Sequence, residues 1–230
     1  MRNSTLRLAA VIAALLLPGS AGAIPLGTLI GGGTLSSDDG AVYFSDFQVS
    51  TSGGHLEAID PLAGLDLMLI DVEVVTWDDL RTLHFAGTIE LAPYELGQIQ
   101  IVYSVAAGDG FEIIGATLEV EAETFGSFSS VTVNEDVFGD ASASLAAFTR
   151  SDGPEAPTSA VLFDGAAGGL VVASNVWIDG GTADGTTFTH LSQGYRVQPT
   201  AGPVPEPSAA LVFAAGLAVI GARVRARRIR

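Results

Sequence analysis

The sequence predicts an all-β protein, an antiparallel and jelly-roll-like β-sandwich. Three observations point there. Apolar and polar residues alternate at every second position in many short runs, Asp-Gly pairs stand between those runs, and no long helical period occurs before Ser208. A two-residue period puts one strand face on a core and the other in water. Asp-Gly suits tight turns, because glycine accepts a positive φ at little cost. A closed barrel is the second architecture compatible with the same pattern.

At the N-terminus, Arg2 and Arg7 flank an apolar run from Leu8 to Leu17, which Pro18 and Gly19 end. Ala21-Gly22-Ala23 then presents the small-x-small pattern of a signal peptidase site, with Ala21 and Ala23 as its small residues. The run is too short to span a bilayer. Residues 1–23 therefore read as a signal peptide handled by the export translocon and signal peptidase, and the mature chain is expected to begin near Ile24.

The body covers residues 24–199. Gly31-Gly32-Gly33 reads as a flexible lead into the first strand. Strand runs are expected at Val42–Val49, then from Leu65, Leu67 and Leu69 through a phase slip to Val72 and Val74. Leu83, Phe85, Gly87, Ile89 and Leu91 share one face, opposite Thr82, His84, Thr88 and Glu90. Ile99, Ile101, Tyr103 and Val105 oppose Gln98, Gln100 and Ser104, and Leu118 and Val120 oppose Glu119 and Glu121. Further runs fall at Phe128–Val133, Ser144–Thr149, Val161–Phe163, Gly169–Ile178 and Thr186–Val197. Asp39, Asp109, Asp152, Asp164, Asp179 and Asp184 each precede a glycine and are read as turns. About eleven short strands follow, in a chain long enough to bury a substantial core without disulfides.

Composition narrows function. The chain has no cysteine and no lysine, so disulfides, thiolate metal sites, a Walker A lysine and a pyridoxal Schiff base are all excluded. From Ile24 to Gly202 three arginines face 25 acidic residues, a charge of −22. Such a body is repelled by nucleic acid, whose binding needs a positive patch.

Catalytic patterns are sparse. His55, His84 and His190 stand far apart without a metal-binding spacing. Ser127 and Ser129 flank no nucleophile elbow. Glu119, Glu121 and Glu123 share one strand face at period two, the pattern of a solvated acidic surface rather than a glycosidase pair. The chain is therefore expected not to be an enzyme and to need no cofactor. Structural calcium has its best candidates in Asp179 and Asp184, with Asp38 and Asp39 behind them, since hard cations favour carboxylate clusters. Trp77 and Trp177 are expected in the core; exposure of the two would favour stacking on sugar rings.

Residues 200–203 form a linker to a distinctive tail. Val204-Pro205-Glu206-Pro207-Ser208 precedes an apolar helix over 209–222, and Arg223, Arg225, Arg227, Arg228 and Arg230 close the chain. Counted from Ser208, a helix of 15 residues spans about 23 Å, short of a ~30 Å hydrocarbon core but extendable by snorkelling arginines. Positive charge is retained on the cytoplasmic side, leaving the acidic body outside.

These three features, in this order behind a signal peptide, resemble a PEP-CTERM sorting domain, an exosortase substrate of Gram-negative bacteria that make exopolysaccharide. The resemblance implies that Val204, Pro205, Glu206 and Pro207 form the recognition motif over the tail 204–230. It also implies that the helix is a transient inner-membrane anchor, that the arginines stop transfer, and that exosortase cuts near Glu206. Gly32-Gly33-Thr34-Leu35, Phe44-Ser45-Asp46-Phe47 and Ile178-Asp179-Gly180-Gly181 resemble the Gly- and Asp-rich ectodomains seen with this tail and bring no activity. The sequence thus leads to an exported, non-catalytic protein of the cell surface or extracellular matrix. The alternatives are a surface carbohydrate-binding module acting on exopolysaccharide and a secreted hydrolase.

Overall fold

The structure, a computed structural model, describes residues 22–55 and 60–200. Its strands are β1 (Ile24–Pro25), β2 (Leu35–Ser36), β3 (Val42–His55), β4 (Asp71–Trp77), β5 (Leu80–Leu91) and β6 (Glu95–Ala107). They continue with β7 (Phe111–Thr124), β8 (Ser130–Gly139), β9 (Ala143–Arg150), β10 (Thr158–Ala167), β11 (Gly169–Asp179) and β12 (Thr186–Pro199). Two six-stranded sheets result. Sheet A runs β1-β4-β5-β12-β7-β10 and sheet B runs β2-β3-β6-β11-β8-β9. From β5 onward the chain alternates between sheets except at the β8–β9 hairpin, and β11 and β12 return between earlier strands. That connectivity makes the antiparallel sandwich jelly-roll-like.

The alternation predicted for β5 and β6 is realised. Leu83, Phe85, Ile89 and Leu91 are buried on sheet A, facing Ile99, Ile101, Tyr103 and Val105 of sheet B. Each such side chain contributes about 1.5–3 kcal/mol on leaving water. Phe44, Phe47, Phe85 and Tyr195 surround Tyr103 or one another at centroid distances of 5.4–6.4 Å, forming the aromatic centre of the core.

The structure departs from the sequence reading in several places. Leu67–Leu69 is a single 3-10 turn, not a strand, because the Asp66 carboxylate accepts from the Met68 N–H and holds the chain in a bend. The triple glycine closes a short helix, α1 (Leu26–Ile30), with the Gly32 and Gly33 N–H groups both donating to the Leu29 carbonyl. Asp164-Gly165 lies inside β10, where the register against β7 shifts, and makes a bulge rather than a turn. The other five Asp-Gly pairs lie in the connections between strands or at their edge, and Asp184-Gly185 has positive φ at both residues. The segments expected to be a signal peptide (up to Ala21), a linker (from 201) and a sorting tail with an apolar helix lie outside the described residues. Ala23 is exposed directly before β1.

Polar side chains cross the core. Gln193 of β12, fully buried, accepts a 2.7 Å bond from the Tyr103 hydroxyl through Oε1. Its Nε2 donates to Glu135 Oε2 of β8 and to Ser174 Oγ of β11. Ser174 donates in turn to the same carboxylate oxygen at 3.2 Å, and the Tyr103 and Tyr195 hydroxyls meet at 2.5 Å. Glu135 Oε1 has no partner. Burial pushes the Glu135 carboxyl from its ordinary 4.5 up to about 7, against the opposing pull of its Ser174 and Gln193 hydrogen bonds. Burial likewise raises both tyrosines well above the usual phenol range.

At the other end of β5 from its loop to β6, Arg81 is buried and pairs with Asp39 at 2.5 Å. The guanidinium also donates to the carbonyls of Asp78 and Leu80. It ties the β2–β3 connection of sheet B to the β4–β5 hairpin of sheet A and holds the Asp39 carboxyl far below the usual carboxylate range.

Glu135 sets a testable pH dependence. A folded pKa above the unfolded one means the native state holds the extra proton between pH 4.5 and about 7. Stability therefore falls as pH rises through that window, by about 3 kcal/mol, and stays lowered above it. Glu135→Gln carries no charge to bury. Relative to the wild type, its melting temperature should be similar at pH 4.5 and roughly 6–12 °C higher at pH 8. A difference that stays constant across this range, measured by thermal circular dichroism, would show that Glu135 does not titrate there.

Candidate functional site

Both tryptophans are surface residues, contrary to the expectation that they sit in the core: Trp177 is 50% exposed and Trp77 is 78% exposed. Trp77 stands at the tip of the β4–β5 hairpin in sheet A, paired with Leu80. Trp177 stands on the outer face of sheet B, between Gln98 of β6 and Thr132 of β8. Since the two lie on different sheets, they cannot form one platform.

The outer face around Trp177 is uncharged across three strands. In β11, Ser174 and Val176 point inward, so Asn175 and Trp177 point outward. The same parity puts Gln98 and Gln100 of β6 and Ser50 and Ser52 of β3 on this face. Asn175 Oδ1 accepts from Gln98 Nε2 at 3.4 Å and from Gln100 Nε2 at 3.2 Å. Ser52 donates to Gln98 Oε1 at 3.4 Å and Ser50 to Gln100 Oε1 at 3.5 Å. These bonds are long, and exposed or only partly buried, so a ligand hydroxyl can replace them with little loss.

Next to this ladder, three loops meet at one end of the sandwich: Ala92–Tyr94, Phe125–Ser129 and Gly180–Gly185. Their backbones interlock. Tyr94 N–H donates to the Gly181 carbonyl at 2.7 Å, Thr182 N–H to Ser127 at 3.0 Å, and Phe125 N–H to Gly185 at 3.2 Å. The approach is close enough that a Cβ on Gly126 would collide with the Ala183 carbonyl, and one on Gly180 with that of Ala92. Tyr94 and Phe128 are 53% and 67% exposed, and both have φ of 66°. A bulky residue in this left-handed region costs about 1–3 kcal/mol, and the interlocked loops hold it there. Phe128 was expected to begin a strand, but that geometry excludes it from β8. With Leu96, Asp179, Gly181 and Thr182, the two aromatics line a cleft of about 260 Å³. Phe128 and Asp179 also border a second cleft of about 390 Å³ with Arg150 and Asp152.

The other sequence candidates fall elsewhere. His84 and His190 meet edge-on at 6.2 Å on sheet A. His84 Nε2 lies 3.1 Å from Ser192 Oγ, and His190 Nδ1 lies 3.5 Å from Glu121. Among the described residues, neither His84 nor His190 lines the two clefts that Phe128 borders or the one that Asp184 borders. Ser129 is buried and donates to the Phe125 carbonyl, while Ser127 is exposed in the loop. Glu119, Glu121 and Glu123 form the solvated stripe expected of them on β7. Asp179 accepts from the Gly181 N–H at 2.8 Å, a turn-forming role, whereas Asp184 borders a separate cleft with Glu90 and Glu95. Among the described residues, no three acidic or histidine side chains are grouped to hold a metal.

The chemistry thus defined is that of a sandwich with an aromatic and amide face, and comparison with known proteins adds an outline only. No family model and no curated protein matches the chain. Among solved structures, the chain is similar to the module TmCBM61 in complex with β-1,4-galactotriose, at 12% identity and a TM-score of 0.31, covering 66% of this chain and 89% of that one. It is also similar to a low-affinity xylan-binding module, CBM86, from Roseburia intestinalis, at 13% identity and a TM-score of 0.23, covering 68% and 98%. The enzymatically active domain of tailspike protein 4 from bacteriophage CBA120 matches at 10% identity and a TM-score of 0.29, covering 66% of this chain and 19% of that one. Likenesses this loose carry no argument about ligand or activity.

The strained aromatic can be tested separately from any ligand. Asparagine tolerates positive φ, and Phe128 has little packing to lose. Phe128→Asn should therefore raise the unfolding free energy by about 1 kcal/mol, read in urea denaturation. A destabilised variant would mean that the ring packs more tightly than its exposure implies.

Proposed function

We propose that the body is a non-catalytic carbohydrate-binding module, exported and then sorted to the cell surface or matrix by the C-terminal tail. The observation that carries the reading is Trp177, half exposed and set beside a ladder of uncharged amides and hydroxyls. An exposed indole offers a flat apolar face to the C–H side of a sugar ring. Glutamine, asparagine and serine both donate and accept, as sugar hydroxyls do. The Tyr94–Phe128 cleft extends the same surface beyond the sheet. A flat, preformed face of this kind suits a long chain better than a small enclosed ligand.

Binding is tested by affinity electrophoresis through gels holding β-1,4-galactan, xylan, galactomannan or the exopolysaccharide of the native host. At least one should retard the protein. Trp177→Ala should weaken that binding about tenfold or more, a loss of roughly 1.4 kcal/mol, without lowering the melting temperature. Trp77→Ala, on the other sheet, should leave binding unchanged. Equal mobility in every gel would overturn the reading.

The sorting half of the proposal rests on the order of the Pro-Glu-Pro motif, apolar stretch and arginine cluster. In cells that have exosortase, the mature protein should lack the residues after about Pro207, by mass, and leave the membrane fraction. In cells without exosortase it should stay uncut and membrane-bound. The same mass and location in both strains would refute the sorting role.

A further inference from the structure

We propose that the face around Trp177 selects uncharged polysaccharide and rejects chains that carry carboxylate or sulfate groups; this inference rests on the carbohydrate-binding reading above. The ladder of Ser50, Ser52, Gln98, Gln100 and Asn175 contains no formal charge, although the body that displays it carries −22. Acids stand at its margins instead. Asp136 shares the outer face of β8 with Thr132, the residue beside Trp177, and Asp152 and Asp179 border the clefts that Phe128 lines.

An anionic sugar needs a cation to compensate its lost hydration. The chain has no lysine, and its body has three arginines. Arg81 is buried against Asp39, and Arg196 lies 3.7 Å from Asp79. Arg150 alone borders the site. Its guanidinium sits over the Phe148 ring at 4.9 Å, in a cleft it shares with Asp152 and Asp179. A carboxylate arriving here would meet two like charges for one opposite charge. A neutral chain meets donors and acceptors that match its hydroxyls and suffers no repulsion from the body. Specificity would come from a repulsive margin around an indifferent centre.

The test uses one backbone. The neutral polysaccharide bound most tightly in the gels is oxidised at its primary hydroxyls, or sulfated where it has none, to graded anionic content. Binding is followed by the fluorescence of Trp177 in a Trp77→Phe background. At about 0.01 M salt, affinity should fall at least tenfold as anionic content rises to about one group per two sugars. Raising the salt to about 1 M shortens the Debye length from ~30 Å to ~3 Å and should restore much of the loss. Asp152→Asn should narrow the ratio between the affinities for the unmodified and the charged chain.

Equal or tighter binding of the charged chain would overturn the selectivity and leave the carbohydrate-binding reading standing. Tight binding of the charged chain only when calcium is added would also overturn it, in favour of a cation bridge. Failure of every unmodified polysaccharide to bind would remove the reading itself and this inference with it.

Discussion

The Gln193 side chain is the bond on which the arrangement depends. It leaves β12 in sheet A and reaches Tyr103, Glu135 and Ser174, which lie on three different strands of sheet B. A buried polar group without partners costs about 1–3 kcal/mol, so each of these side chains has one register that satisfies it. Strand faces alternate with period two. Holding Tyr103, Glu135 and Ser174 inward therefore holds Gln98, Gln100, Thr132, Asn134, Asn175 and Trp177 outward. A one-residue slip of any of these strands would bury an amide or the indole and expose a hydrophobic row. The polar bridge inside the sandwich and the uncharged face outside it are two sides of the same constraint.

That constraint has an electrostatic consequence. Glu135 keeps a proton to higher pH than an exposed glutamate, because Oε1 has nothing to bond and the core gives the charge no solvent. Arg81 and Asp39 show the opposite solution at the far end: a buried cation with a carboxylate and two carbonyls to satisfy it. One junction is weakened by rising pH and the other by falling pH. The acid-rich outer surface adds self-repulsion to both.

The loop end follows a different logic. Two aromatic rings stand in left-handed backbone, in loops packed so closely that only glycine fits at the crossings. Strain of this kind persists only where the surroundings over-determine it, and here hydrogen bonds between the three loops do so. The rings are thereby presented to solvent in fixed positions. Little side-chain freedom would then be lost when a flat partner settles on them.

Much of the fold was legible from the chain alone because its signals are local. Alternation in β5 and β6 and glycine after aspartate at the turns depend on neighbours one to three residues away. Where a side chain overrode the pattern, the reading failed, as when Asp66 bent the Leu65–Leu69 segment into a turn. The segment from Gly169 to Ile178 shows the deeper limit. Both of its faces hold apolar residues, and the structure buries Ser174 while exposing Trp177, the reverse of what hydrophobicity ranks. Gln98 and Asn175 are 77 residues apart, and Tyr103 and Gln193 are 90 apart. No local period carries such pairings. The amino-acid sequence by itself determined the strand period, the turns and the charge, since each is a property of neighbouring residues or of their sum. Only the tertiary structure decided which polar residues would be satisfied inside the core, and therefore which aromatic residues were left facing water.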